Sequence, residues 1–138
     1  MCAVVAQVDI RNYIELVGWG EAMNENSKRI LHVEDSKSLQ QYIGAILSGI
    51  AEITWAGTLK EARLLIKDSR FDLVLLDFTL PDGSGSDLVR ELAVQDPTIP
   101  IIVFSAHDIT NTMINVSRVF VKGQYSEQEL IKAVRSLC

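Results

Sequence analysis

Short apolar runs alternate with segments of helical period from residue 28 to the end of the chain. This alternation predicts an α/β fold built around a parallel sheet. Five runs rich in aliphatic residues are the predicted strands, at 29–33, 52–56, 71–76, 99–104 and 119–121. The run at 71–76 is almost continuously apolar, which is typical of a strand covered on both faces. We therefore predict a sheet with helices on both faces.

Helices are predicted between these strands by apolar side chains at three- and four-residue spacing. The first helix covers 36–48. A Thr or Ser followed three residues later by Glu is the pattern of a capping box, and it opens two later helices at Thr58 and Ser126. Between them, Leu88 and Leu92 indicate a short third helix.

Polar side chains end or directly follow four of the predicted strands: Glu34, Asp35, Asp77, Ser105 and Lys122. Because right-handed crossovers place the carboxyl ends of parallel strands at one edge of a sheet, we expect these side chains to lie close together. Taken alone, each has an ordinary interpretation as a helix-start acid, a turn residue, a polar strand end or a surface lysine. Their joint occurrence favours a functional site.

Three carboxylates at one edge of a sheet repel one another, by about 3 kcal/mol per pair at ~5 Å and an effective dielectric of ~20. A hard divalent cation offsets this repulsion, and Mg²⁺ fits best because it accepts carboxylates, a backbone carbonyl and several waters. Asp77 is then the candidate nucleophile, since a carboxylate can attack phosphorus to give an aspartyl phosphate. The Lys122 amine and the Ser105 hydroxyl suit the neutralisation of phosphoryl oxygens.

The sequence resembles the receiver domain of bacterial two-component response regulators from about Lys28 to Leu137. Four segments carry the resemblance: RILHVEDS at 29–36, FDLVLLDFTLPDGSG at 71–85, IPIIVFSA at 99–106 and VFVK at 119–122. The resemblance implies a doubly wound, flavodoxin-like sheet of five parallel strands in the order 2-1-3-4-5. It also implies that Asp77 accepts a phosphoryl group from a phosphohistidine on a sensor histidine kinase or a histidine phosphotransfer protein.

The resemblance further implies a metal site at the end of the sheet. Glu34 and Asp35 match the acidic pair that holds Mg²⁺ together with Asp77, and Asp35 matches the more direct ligand of the pair. The backbone carbonyl of Thr79 matches a further metal ligand.

Other residues match family positions that act on the phosphoryl group. Ser105 matches the switch hydroxyl, and Lys122 matches the lysine that contacts the phosphoryl oxygens. The side chains of Thr79 and His107 occupy places that influence how long the phosphoryl group lasts. His32, inside the first strand, is interpreted as a core or sheet-face histidine.

Three features depart from the family pattern. Val119 stands where the family usually has an aromatic residue that turns inward, and Phe120, one residue later, is expected to face the other side of the strand. Only 16 residues separate the serine from the lysine, so we expect a shortened fourth helix within 108–117. Gly123 replaces the usual proline, which predicts a looser loop without a cis peptide bond.

Composition narrows the classes of function. The net charge is −5 without basic runs, which argues against direct binding of nucleic acid. No run approaches the roughly 18 apolar residues of a membrane span, and residues 1–20 make a poor signal peptide, so a cytoplasmic location is expected. Cys2 and Cys138 lie at opposite ends of the chain and are interpreted as free thiols.

We divide the chain into an N-terminal extension, 1–27, and a receiver domain, 28–138. The extension has three competing interpretations: a docking or dimerising helix, a flexible tail, or an upstream addition if Met23 is the true start. Since the sequence stops at Cys138, just after the last predicted helix, we expect a stand-alone receiver, and a homodimer is one candidate assembly. A fragment of a longer regulator is the other interpretation.

The expected function is a phosphorylation-dependent signalling switch or phosphorelay carrier. Such a protein catalyses its own Mg²⁺-dependent phosphorylation and dephosphorylation and is not a conventional turnover enzyme. One alternative is a pseudo-receiver that binds protein partners without phosphorylation, which Val119, Gly123 and the short fourth helix favour and the intact acidic site opposes. Another is an aspartyl-phosphate hydrolase of the haloacid dehalogenase type, which expects a second aspartate where Thr79 stands.

Overall fold

A computed structural model describes residues 28–109 and 115–138. Within these residues the secondary-structure elements are, in chain order, β1 (Lys28–Val33), α1 (Lys37–Ile46), β2 (Ala51–Ala56), α2 (Leu59–Asp68), β3 (Leu73–Asp77), β4 (Thr79–Leu80), β5 (Gly83–Ser84), α3 (Gly85–Gln95), β6 (Ile101–Ser105), β7 (Val116–Val121) and α4 (Glu127–Leu137). The N-terminal extension, 1–27, lies outside the described residues.

The five longer strands form one parallel sheet in the order β2-β1-β3-β6-β7. This is the predicted order 2-1-3-4-5 once the five long strands are counted along the chain, so the flavodoxin-like fold is confirmed. The central strand β3 is buried along its whole length, as its almost continuous apolar run predicted, and so is its neighbour β6.

Helices cover both faces of the sheet, because alternate strand residues enter two separate apolar cores. One core contains Leu31 and residues of α2 and α3, and the other contains Ile30 and residues of α1 and α4. Val119 packs against the first core while Phe120 is buried in the second, which confirms that Phe120 faces the opposite side of its strand. His32 is buried within β1, as interpreted from its place in the first strand.

Side-chain caps begin the helices, as the sequence indicated. Ser126 and Glu129 form the complete capping box at the start of α4. At α2 the capping box is only half formed. The Thr58 side chain accepts a hydrogen bond from Glu61 N, but Glu61 Oε1 accepts one from Gly57 N at 2.7 Å rather than from the backbone N–H of Thr58.

Two other predictions need correction. The third helix is not short, because α3 runs for 11 residues. The last strand begins at Val116 rather than at residue 119, because the Asn115 carbonyl already accepts from Ile101 N at 2.9 Å and starts the ladder. The last residues of the predicted fourth helix at 108–117 therefore belong to β7. Residues 108 and 109 are not helical, and residues 110–114 lie outside the described residues.

Candidate functional site

The carboxyl ends of four neighbouring strands meet at one edge of the sheet. Asp77 and Ser105 are the last residues of β3 and β6. Glu34 and Lys122 directly follow β1 and β7, and Asp35 comes next after Glu34. The sheet order thus gathers the polar residues that the sequence analysis singled out.

Three of these residues form an acidic cluster. One carboxylate oxygen from each of Glu34, Asp35 and Asp77 lies within 4.8 Å of the other two. Glu34 and Asp77 are buried, and Asp35 is exposed to solvent. The ligands of an octahedral Mg²⁺ are about 3 Å apart when adjacent and about 4 Å apart when opposite, so these oxygen donors would fit such an ion once the three carboxylates draw closer together. Carboxylate oxygens are also the ligand type that Mg²⁺ prefers.

Glu34 has an unusual proton affinity for a carboxyl group. Its pKa is raised from 4.5 to about 7, chiefly because burial disfavours the charged form. The charge of Asp77 and a hydrogen bond with Asp35 act in the same direction, while the Ser36 N–H and the charge of Lys122 oppose it. Glu34 is therefore partly protonated at neutral pH, and a cation bound here has to displace that proton.

Lys122 makes a direct ion pair with the buried aspartate. Its Nζ lies 3.0 Å from Asp77 Oδ1, and the same oxygen accepts a hydrogen bond from Thr79 N at 3.1 Å. The position of the lysine is set by the sheet, since Lys122 N donates to the Ser105 carbonyl at 2.8 Å and so continues the ladder between β6 and β7. The Asp77 carboxylate is thus held by an amine and an amide.

The other sequence-predicted residues lie around this centre. Ser105 is buried, and its Oγ accepts a hydrogen bond from His107 N at 3.3 Å. The His107 and Thr79 side chains are exposed at the same edge of the sheet.

A small cavity lies beside the site, on the face that carries α1 and α4. Its volume is about 70 Å³, and its polar lining includes His32, Glu34, Lys122 and Tyr125. Burial lowers the pKa of His32 to about 4, so that this imidazole is neutral at physiological pH. The sequence indicated that His32 lies in the sheet but not that it borders the site.

Two residues that hold the site were missed by the sequence analysis. Gly85 packs so closely beneath Asp77 that a Cβ atom would lie 2.7 Å from the Asp77 carbonyl oxygen. Gln40 on α1 donates from Nε2 to the Glu34 carbonyl. A glycine after a Pro-Asp-Gly turn looks like another loop residue, and a lone glutamine on a helix has no pattern, so neither signal was specific.

Comparison with known proteins decides the family. Residues 30–135 match the family of response regulator receiver domains. The chain belongs to this family. The match spans the receiver domain from within β1 to within α4, and every site residue named above lies inside it. Among the described residues, no helix is long and apolar enough to cross a membrane.

Two curated relatives illustrate the similarity of this receiver domain to longer regulators. It is 33% identical over 88 residues to the response regulator protein PilR of Pseudomonas aeruginosa, covering 63% of this chain and 20% of that protein. It is 30% identical over 114 residues to the swarming motility regulation protein RssB of Serratia marcescens, covering 78% of this chain and 52% of that protein. The chain therefore spans about a fifth to a half of the length of these relatives.

Solved receiver domains share the same architecture. The response regulator protein TrrA from Thermotoga maritima, solved in complex with Mg²⁺-BeF, superposes with a TM-score of 0.72 at 26% identity. The superposition covers 80% of this chain and 99% of that one.

Proposed function

We propose that Asp77 of this receiver domain accepts a phosphoryl group from a phosphohistidine on a sensor histidine kinase or a histidine phosphotransfer protein. A carboxylate oxygen of Asp77 forms a bond to phosphorus, the phosphorus–nitrogen bond breaks, and the imidazole leaves with the electron pair. The contact that carries this proposal is the 3.0 Å pair between Lys122 Nζ and Asp77 Oδ1, beside two further carboxylates. The proposal includes the cytoplasmic location expected from the sequence.

The proposal assigns Mg²⁺ to the acidic cluster. Glu34, Asp35 and Asp77 would hold the ion with their carboxylates, and Thr79 would add its backbone carbonyl. When bound, Mg²⁺ supplies positive charge that offsets the repulsion among the carboxylates and stabilises the phosphoryl oxygens. The spacing of the three carboxylates and the burial of two of them support this assignment.

Other side chains of the chain act on the transferred group in this proposal. The positively charged Lys122 side chain neutralises one phosphoryl oxygen. Its contact with Asp77 already places it beside the residue that receives the phosphoryl group. The Ser105 hydroxyl moves towards the phosphoryl group and donates a hydrogen bond to another of its oxygens. This movement signals the phosphorylated state to a protein partner. The exposed side chains of Thr79 and His107 control how easily water reaches the phosphorus, and so set the lifetime.

Intact-mass measurement after incubation with Mg²⁺ and acetyl phosphate tests the proposed transfer. We expect an addition of about 80 Da that disappears with EDTA and in Asp77→Asn, because the carboxylate oxygen is the attacking atom. Asp68→Asn is the matched control, since it removes an exposed aspartate at the end of α2 and should label normally. Normal labelling of Asp77→Asn would contradict the site assignment.

The Lys122→Ala variant separates chemistry from signalling. We expect it to retain some labelling but to lose the coupling between phosphorylation and partner binding, because the amine contacts the phosphoryl group without forming a bond to it. Partner binding is compared with and without beryllofluoride, which mimics the phosphorylated state. A partner complex that is unaffected by beryllofluoride and by Asp77→Ala would instead identify a pseudo-receiver, the candidate that Val119 in place of an aromatic residue favours.

A further inference from the structure

The loop after Asp77 forms a small hairpin whose tip touches a different helix. Strands β4 and β5 pair antiparallel, and Pro81 and Asp82 form the two-residue connection between them. The Asp82 carboxylate accepts hydrogen bonds from Leu59 N at 2.9 Å and Lys60 N at 3.1 Å. Asp82 thus joins the hairpin tip to the first two residues of α2.

The Asp82 carboxylate binds at the N-terminus of α2, where a negative charge is favoured. The first N–H groups of a helix have no partner within the helix, and the helix dipole favours a negative charge there. The side chain of the cap residue Thr58 accepts a hydrogen bond from Glu61 N. The N–H groups of Leu59 and Lys60 donate instead to the Asp82 carboxylate. These hydrogen bonds lower the pKa of Asp82, led by the one from Leu59, and so keep the carboxylate charged.

Gly83 lets the hairpin approach α2 closely. Its φ is +149°, and a Cβ at this position would lie 3.0 Å from the Leu59 Cδ1 atom. The hairpin therefore packs directly against the first residue of α2, and its backbone conformation there suits glycine.

The base of the hairpin belongs to the candidate site. Thr79 N donates to Asp77 Oδ1 at 3.1 Å, and Gly85 N donates to the Phe78 carbonyl at 2.8 Å. The hairpin is thus held at its base by the residues around Asp77 and at its tip by α2. A loss of the tip contact leaves Thr79 fixed from one end only.

We propose that Asp82 is a positioning residue, which holds the hairpin so that the Thr79 carbonyl reaches the Mg²⁺ expected at Asp77. This inference rests on the proposed function, because it assigns the metal to the same site. Asp82 does not touch the metal in this proposal, and it acts through the backbone of residues 79–84. It makes the start of α2 part of the support of the metal site.

Two alanine variants at the same helix end test the positioning role. Asp82→Ala and Thr58→Ala each remove acceptors from the start of α2, but only the first cuts the link to the hairpin. We expect Asp82→Ala to weaken Mg²⁺ binding by about tenfold or more, as the loss of an outer contact of a metal site does. Thr58→Ala should keep the wild-type dissociation constant. Binding is followed by NMR titration of the full chain with Mg²⁺ alone.

Amide hydrogen exchange of Thr79 without metal supplies a second readout. We expect exchange at Thr79 to accelerate by about tenfold in Asp82→Ala and to stay near the wild-type rate in Thr58→Ala, because only the first variant frees the hairpin. If Asp82→Ala does not fold, Asp82→Asn replaces it. Asn keeps one oxygen acceptor, so both effects should be smaller in the same direction.

The outcomes separate the two proposals. Wild-type exchange at Thr79 in Asp82→Ala would overturn the positioning role, and so would equal effects of Thr58→Ala. Faster exchange with an unchanged Mg²⁺ dissociation constant would also overturn it while leaving the proposed function intact. If the wild-type chain binds no Mg²⁺, the metal assignment is wrong, and so is the positioning role at that metal. The exchange rates at Thr79 then still show whether Asp82 holds the hairpin.

Discussion

His32 and Glu34 lie two residues apart at the end of β1 and have pKa values displaced in opposite directions. The pKa of Glu34 is raised to about 7 and that of His32 is lowered to about 4, both chiefly because burial disfavours charge. Between pH 4.5 and 7 the folded chain holds the Glu34 proton that the unfolded chain has lost, so this group makes stability fall as the pH rises. Between pH 4 and 6.5 the folded chain lacks the His32 proton that the unfolded chain binds, so this group makes stability rise.

Single substitutions should therefore expose two opposite pH dependences. In Glu34→Gln the free energy of unfolding is expected to rise from pH 4.5 to 6.5, because His32 remains. In His32→Leu it is expected to fall over the same interval, because Glu34 remains. Urea unfolding at a series of pH values, without divalent metal, measures both slopes. Slopes of the same sign in the two variants would contradict the opposite pKa shifts of Glu34 and His32.

At the scale of single residues, the sequence predicted the polar residues at the strand ends better than the residues that pack around them. Asp77, Ser105 and Lys122 were found because each ends a strongly apolar run, and strand ends share one edge of a parallel sheet. Gly85 and Asp82 were not found. Their roles depend on a steric contact and on hydrogen bonds to a helix that is distant in sequence, and neither leaves a periodic pattern.

Among the elements, β6, β7 and the loop before α4 meet in an aromatic cluster. Phe120 stacks on Phe104 with ring centroids 5.8 Å apart and meets Tyr125 at 5.0 Å. The Arg118 guanidinium lies over the Phe120 ring, 4.6 Å from its centroid. Because Phe120 packs in the core beneath α4, the aromatic side chain of this strand supports the fold on the face opposite to Val119.

Removing this ring should destabilise the fold strongly. Phe120→Ala is expected to lower the free energy of unfolding by about 3–5 kcal/mol, because it leaves a cavity in a packed core. Val119→Ala is the matched control from the other face, where the side chain is only half-buried, and it should cost clearly less. Urea unfolding compares the two. Equal losses would show that Phe120 is not a main support of α4.

The elements themselves were predicted to different degrees, for physical reasons. Long strands and capped helices have periodic patterns and end signals, so the sheet and α1, α2 and α4 were found within a few residues. The two-residue strands β4 and β5 are too short to show any period. The early start of β7 was missed because Ser117 and Arg118 interrupt its apolar pattern. In the sheet, Val116 pairs with Ile101 and Arg118 with Ile102, and the register shift between these pairs leaves Ser117 in a bulge.

For the whole molecule, the acidic cluster brings three carboxyl groups close together, and in the proposed function Mg²⁺ offsets their repulsion. Mg²⁺ is therefore expected to stabilise the folded chain, by about 2.7 kcal/mol when its concentration is 100 times the dissociation constant. Urea unfolding with and without Mg²⁺ measures this gain. Asp35→Asn removes one carboxylate of the cluster and should lose most of it. A gain of the same size in Asp35→Asn at the same Mg²⁺ concentration would contradict a specific site.

The order of the strands in space also has a consequence while the chain is being synthesised. The acidic residues leave the ribosome first, whereas β7 and Lys122 come last and form the outer edge of the sheet. Until β7 is added, β6 presents an unpaired edge, and such edges can pair with other chains. The carboxylates also lack their amine at this stage. Residues 116–138 must therefore emerge before the edge of β6 is covered and before Lys122 can pair with Asp77.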